Sequence, residues 1–345
     1  LEKISVKTEG AVSDILIGMK WEGVGNMLPG SGVAIITDSN VNRIYGEKFP
    51  DFPVFVVKPG EVSKKLEDIE FLAERLLESG IDRSGFILGI GGGVVCDIAG
   101  FLASIYMRGI RCAYVSSTLL SQVDASTGGK NGVNLGSTKN LLGCFRQPEF
   151  VICDPAMLQT LPEEEYFSGL AELIKTGIIG NRKLFEIIEN NHERIIRRDA
   201  ELLAMLISMA VGVKASVVSE DEKEGGLRRI LNFGHTFGHA IELYKSFRHG
   251  YAVASGMELA ISFSVAKGYL PVDESERILN LLKSFKLLRR HEVPLSQIGV
   301  LLRHDKKKIG DDMYFVFAQG IGKVTVEKIP LNEIIEFYRG GLASR

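Results

Sequence analysis

The stretch "GFILGIGGGVVCDIAGFLASIYMRG", Gly85 to Gly109, decides the fold class. Phe86 to Ile90 is a short apolar run, the pattern of a strand covered on both faces. Gly91, Gly92 and Gly93 then make a turn, and the apolar residues from Val94 onward fit a buried helix. Glycines there let backbone N–H groups approach an anion, and a helix N-terminus adds partial positive charge suited to a pyrophosphate. The run is not G-x-G-x-x-G, however, and a tight strand-to-helix turn without a ligand would read the same way.

Upstream, "GVAIITDSNV" and "PVFVVKPG" are β-branched runs followed by turn residues. Between them and the glycine turn, "KKLEDIEFLAERLLESG" puts Leu66, Ile69, Leu72, Ala73 and Leu76 on one helical face and ends at Gly80. Strand, helix, strand, glycine turn, helix is the grammar of a parallel α/β sheet with ligands beyond the strand ends. From about Pro162 strand signals fade: "EYFSGLAELIKTGII", "AELLAMLISMAVGVKASVV", "HTFGHAIELYKSF" and "SERILNLLKSFKLL" have apolar residues at three- and four-residue spacing. A late β element, "DMYFVFAQGIGKVTVEKI", is the exception. The expectation is α/β plus all-α: an N-terminal Rossmann-like parallel α/β domain, 1–161, then a mainly helical domain, 162–345, with a site in the cleft between them.

Composition narrows the function. At 345 residues two domains are the better prior. With 41 basic and 43 acidic side chains the net charge is -2, so nothing draws the whole chain to nucleic acid or membrane. Any anion must be held by a local cluster of cations. Cys96, Cys112, Cys144 and Cys153 show no C-x-x-C or zinc-finger spacing and read as reduced thiols of a cytoplasmic protein. "LEKISVKTEG" lacks an apolar h-region, and Glu258 and Lys267 interrupt the apolar run from Tyr251 to Leu270, so neither secretion nor membrane spanning is expected.

Four places carry possible chemistry. "QVDASTGGKNGVNLGSTKN" sets Asp124, Lys130, Lys139 and Asn140 in what reads as an irregular loop leaving a buried element: solvated surface, or a phosphate or carboxylate site. "GLAELIKTGI" places Glu172 and Lys175 three apart. On an open face they would be a solvated ion pair, but Leu170, Leu173 and Ile174 argue for burial, where a carboxylate needs a cation. "LNFGHTFGHAIE" carries His235 and His239 four apart on one helical face, either as core hydrogen-bonders or as a metal or acid/base site. Glu172, His235 and His249 of "RHGYAV" would make an N/O set suited to Zn2+ or a similar ion, with Lys214, Arg228 and Asn232 as further polar groups. His192, His291 and His304 lie among charged residues and are expected at the surface.

These motifs together resemble those of the 3-dehydroquinate synthases, in the sugar-phosphate cyclase group. "PGEVSKKLE", "GGGVVCDIAGFLASIYMRG", "STLLSQVDASTGGKNGVN", "KNLLGCFRQP", "LQTLP", "AELIKTGII", "LNFGHTFGHAIE", "HGYAVASGM" and "HDKK" occur in the family order, and the resemblance runs from Thr37 to Lys323. It implies a tightly held NAD, a catalytic Zn2+ or Co2+, and 3-deoxy-D-arabino-heptulosonate 7-phosphate as substrate. The implied reaction is transient oxidation by NAD, phosphate β-elimination, re-reduction, ring opening and intramolecular aldol closure to 3-dehydroquinate, within the shikimate pathway of aromatic amino acid biosynthesis.

Carried over residue by residue, the resemblance makes Glu172, His235 and His249 the metal ligands. NAD falls to Asp38, Glu61, Lys64, Gly92, Gly93, Val94, Asp97, Ser117, Thr118, Lys139, Thr160 and Leu161. Substrate falls to Arg108, Asp124, Lys130, Asn140, Lys175, Lys214, Arg228, Asn232, His239 and Lys306, and the catalytic group within these is Lys130, Asn140, Lys175, Lys214, Arg228, Asn232 and His239. The family is generally dimeric, and Arg108 could come from the neighbouring subunit of a homodimer. Three positions depart from the pattern: Tyr251 where the family has the glutamate of "HGE", Ser117 for threonine and Cys96 for glycine. Another sugar-phosphate cyclase, a metal- and NAD-dependent polyol dehydrogenase and a non-catalytic NAD-binding module are the competing readings.

Overall fold

In the computed structural model, residues 1–136, 138–290, 293–303 and 308–343 are described. The chain opens with β1 (Glu2–Thr8) and β2 (Ala11–Ile17), an antiparallel hairpin turning at Gly10. Then follow β3 (Val33–Asp38), α1 (Ser39–Tyr45), β4 (Val54–Val57), α2 (Leu66–Glu78), β5 (Phe86–Gly91), α3 (Gly93–Ile105) and β6 (Arg111–Ser116). A second hairpin, β7 (Lys130–Leu135) and β8 (Thr138–Phe145), precedes β9 (Phe150–Cys153). Seven strands form one sheet in the order β1-β2-β9-β6-β5-β3-β4, parallel except at the β1–β2 pair.

Alternation along β5 shows how the sheet is covered. Phe86, Leu88 and Ile90 face a core with Trp21, Val24, Val33, Ile35, Val115 and Ile152. Gly89, between them, faces the opposite layer, where Ala99 of α3 lies so close that a Cβ on Gly89 would touch it at 3.0 Å. Between β3 and β5 the direction of strand succession reverses, because β4 lies on one side of β3 and β5 on the other. In open α/β sheets that reversal is where ligands bind, beyond the carboxyl ends of the strands. Helix α2 buries Ile69, Leu72 and Leu76 as its periodicity predicts, but Leu66 is exposed and Ala73 only half-buried.

The segment expected as an irregular loop is largely the β7–β8 hairpin. Buried Asn131 fixes it: the Tyr114 hydroxyl donates to Asn131 Oδ1 at 2.9 Å, and Asn131 Nδ2 donates to the carbonyls of Gly129 and Arg146, each at 2.9 Å. Polar composition concealed a strand whose polar groups are internally satisfied.

After Pro162 a second unit begins with α4 (Glu163–Gly180), α5 (Arg182–Asn190) and α6 (His192–Ile196). The chain then rejoins the first unit as α7 (Ala200–Glu220), so the units are 1–162 with 198–223, and 163–197 with 224–345, rather than two consecutive halves. Helix α7 packs on β1 and β2. By length and composition alone it could span a bilayer, yet 61% of its most apolar window is buried.

The second unit continues with α8 (His235–Lys245), α9 (His249–Ala266), α10 (Val272–Ser284), α11 (Leu295–Arg303), the antiparallel strands β10 (Lys308–Ile309), β11 (Asp312–Gly320) and β12 (Lys323–Pro330), and α12 (Leu331–Ala343). Its core includes an aromatic cluster in which Phe263 stacks on Phe337 with centroids 4.2 Å apart and meets Phe315 and Phe317 edge-on. His192, expected at the surface, is half-buried, its ring 4.5 Å from that of Phe285 and its Nε2 3.0 Å from the Ser284 carbonyl. His291 and His304 lie outside the described residues.

Candidate metal centre and its surroundings

Three helices of the second unit supply the centre. Glu172 lies midway along α4, while His235 and His249 are the first residues of α8 and α9. Close backbone packing sets their spacing. A Cβ on Gly256 of α9 would overlap the Gly234 carbonyl, and one on Gly250 would overlap the Ser168 carbonyl of α4. The Gly250 N–H also donates to Ser168 Oγ at 2.9 Å. Gly256→Ala is therefore expected to force α8 and α9 apart and cost about 2–3 kcal/mol. Urea unfolding beside the unaltered protein checks this, and an unchanged midpoint would show that the helices absorb a methyl.

Glu172, His235 and His249 present ligand atoms all within 4.8 Å of one another, and they are the one such group found among the described residues. Glu172 Oε1 lies 3.3 Å from His249 Nε2 and 3.6 Å from His235 Nε2. The other ring nitrogens are occupied: His235 Nδ1 donates to the Phe233 carbonyl at 3.1 Å, and His249 Nδ1 lies 3.1 Å from Glu242 Oε2. Both Nε2 atoms are thereby directed at Glu172, as metal ligation requires.

The electrostatics call for positive charge. Glu172 is fully buried and neither oxygen accepts a well-aligned hydrogen bond, although Lys175 forms an ion pair with it. Burial would push its carboxyl up, but the Lys175 ammonium and the His249 ring outweigh that and hold it at about 2. Burial likewise works against a charged His249, yet Glu172 and Glu242 raise its ring to about 10. A buried carboxylate opposite two oriented imidazoles fits a divalent cation, and three protein ligands leave coordination open, the arrangement of a catalytic rather than a structural site.

Around this centre His239 meets His235 edge-on, centroids 5.3 Å apart. Arg228, 1% exposed, and Asn232 occupy the turn before α8, and Asn232 Nδ2 donates to Glu224.

In the first unit several predicted cofactor residues gather at the carboxyl ends of the strands. Asp38 ends β3 and caps α1 through the N–H groups of Asn40 and Val41 at 2.8 and 3.1 Å. Gly92 is the N-cap of α3, Gly93 and Val94 open it, and Ser117 and Thr118 follow β6. Lys64 pairs with Asp97, whose carboxyl is pushed up by burial against the opposing pull of Lys64. Glu61 accepts from Asn134 Nδ2 at 2.9 Å, and Asn134 Oδ1 accepts the Asn140 N–H at 2.8 Å. Thr160 meets Tyr45 at 2.6 Å, with Leu161 next to it. Lys130 begins β7, and Lys139 and Asn140 are exposed on β8.

Lys214 of α7 donates to the Asp124 carbonyl at 2.6 Å and pairs with its carboxylate. Arg108 is exposed and left-handed at φ +70°, without a hydrogen bond or ion pair to another predicted site residue among the described residues. Lys306 lies outside them.

Sequence reading did not single out Glu242, Glu224 or Ser168. For Glu242 the signal was present: it follows His235 by seven residues and His239 by three, so all three share a face of α8.

The glycine-opened helix of the parallel α/β unit suits an anion, and the Glu-His-His group of the helical unit suits a divalent cation, the two features of a metal-dependent enzyme. Residues 54–168 match the family model for the N-terminal region of 3-dehydroquinate synthase, and residues 169–308 that for its C-terminal region. The chain belongs to the 3-dehydroquinate synthase family. It is 44% identical over 279 residues to the 3-dehydroquinate synthase of Solibacter usitatus (strain Ellin6076), covering 80% of this chain and 78% of that protein. It is 40% identical over 314 residues to that of Geotalea uraniireducens (strain Rf4), covering 87% of each. A solved 2-deoxy-scyllo-inosose synthase, complexed with carbaglucose-6-phosphate, NAD+ and Co2+, matches with a TM-score of 0.88 and 27% identity over 98% of this chain and 100% of that one.

Proposed function

We propose that the chain is a 3-dehydroquinate synthase, converting 3-deoxy-D-arabino-heptulosonate 7-phosphate to 3-dehydroquinate and phosphate. The observation that carries the reading is the trio of buried Glu172, buried His235 and half-buried His249 with Lys175 beside it, in a chain about 40% identical to 3-dehydroquinate synthases over most of its length.

NAD and a divalent cation such as Zn2+ or Co2+, when bound, supply a reversible hydride acceptor and a Lewis acid for the substrate's ring hydroxyl. Glu172, His235 and His249 hold the cation. Asp38, Glu61, Lys64, Gly92, Gly93, Val94, Asp97, Ser117, Thr118, Lys139, Thr160 and Leu161 hold the dinucleotide. Lys130, Asn140, Lys175, Arg228 and His239 hold the phosphate dianion and orient it for departure, the lysines and the arginine as charge-assisted donors, which stabilise a leaving phosphate more than neutral ones. Asp124, Lys214, Asn232, Arg108 and Lys306 take the remainder of the substrate, and the Asp124–Lys214 pair keeps that ammonium aimed before binding. A cytoplasmic homodimer is part of the same reading, supported by four unpaired cysteine thiols and by the resemblance to a dimeric family.

Incubation with the heptulosonate phosphate, NAD and Zn2+ tests the proposal. Expected are equimolar phosphate and 3-dehydroquinate with no net change in nicotinamide absorbance. Lasting NADH accumulation on a polyol would instead select a dehydrogenase, and a different carbocycle from a different sugar phosphate would select a sister cyclase.

A further inference from the structure

The two histidines of the centre are held in different ways. His235 Nδ1 donates to a main-chain carbonyl, that of Phe233, which no substitution removes. His249 Nδ1 instead faces a side chain, Glu242 Oε2, at 3.1 Å, and the Glu242 side chain is only 11% exposed. Glu242 cannot share the metal position: it meets the ring at the nitrogen opposite Nε2, so the imidazole stands between it and Glu172. It also lies two turns along α8 from His235, so one helix supplies a ligand and the support for another.

We propose that Glu242 is the positioning residue of the metal centre. Its carboxylate accepts the Nδ1–H of His249, fixes the ring plane and tautomer so that Nε2 presents its lone pair beside Glu172, and makes that nitrogen a stronger donor. Carboxylate partners of this kind typically contribute about 10–100-fold in metal affinity. The proposal rests on Glu172, His235 and His249 being the metal site.

The test is Zn2+ affinity of the metal-stripped full chain, measured by competition with a chromophoric chelator for the unaltered protein, Glu242→Ala, Glu242→Gln and Glu242→Asp. Glu242→Ala is expected to bind about 10–100-fold more weakly. Glu242→Gln, which keeps an acceptor oxygen at the same reach, should recover most of that loss. Glu242→Asp, one methylene shorter, should resemble alanine. With Co2+ bound, the visible ligand-field spectrum should be kept in Glu242→Gln and altered in Glu242→Ala, a signature that a general stabilising role would not move. Unaltered affinity in Glu242→Ala, or glutamine as weak as alanine, overturns the assignment while leaving the metal site intact. No stoichiometric Zn2+ on the unaltered protein would overturn both, which separates the two failures. If Glu242→Ala does not fold, the glutamine and aspartate variants still decide the question.

Discussion

His235→Ala is expected to purify without stoichiometric Zn2+ and to release no measurable phosphate from the heptulosonate phosphate, while remaining folded. Only Glu172 and His249 of the ligand set would remain, and neither can take up the lost position from its own helix. Lewis-acid stabilisation of several kcal/mol disappears with the ion, and at about 1.4 kcal/mol per decade the loss exceeds roughly a thousandfold. The fold should survive, because α8 is anchored elsewhere by buried Phe237, Ala240 and Ile241. Metal content by atomic emission, read beside far-UV circular dichroism, checks both halves. Full zinc occupancy in the variant would remove His235 from the site.

Lys175→Ala is expected to reduce turnover by about ten- to a thousandfold and, separately, to destabilise the metal-free protein. The second effect follows from burial: Lys175 is 2% exposed and Glu172 fully buried, so alanine leaves an ionised carboxylate without its ammonium. Breaking such a pair from one side typically costs about 3–5 kcal/mol. A divalent cation at Glu172 restores positive charge, so the deficit should shrink when Zn2+ is present. Chemical unfolding with and without Zn2+ tests the stability effect, and separate kcat and KM values test the kinetic one. A change in KM alone would mean that Lys175 holds ground and transition states alike.

Local grammar carried much of this molecule. The apolar run at Phe86–Ile90, the glycines after it and the helix they open were readable because a parallel strand, its turn and its helix are contiguous in sequence. The convergence of Glu172, His235 and His249 could be suggested by ligand chemistry, but sequence spacing alone could not place three separate helix segments together. The unit to which α7 belongs was not readable. Its periodicity declares a helix, yet apolar residues all round leave no preferred face, and only the first-unit strands say where it packs. The β7–β8 hairpin was hidden for the opposite reason, since glycine and polar residues resemble a loop until Asn131 finds its partners. The opening hairpin went unread, although Ile4 and Val6 alternate in β1 and Gly10 marks its turn.

The excursion of α7 bears on how such a chain could be divided or recombined. Because the polypeptide passes from one unit to the other at 162/163, 197/198 and 223/224, a single cut cannot release either unit whole. A fragment stopping at Pro162 would lack the helix that covers β1 and β2 and would leave apolar sheet in water. Exchange of a unit between relatives would need three crossovers rather than one, so the architecture favours inheritance of both units together.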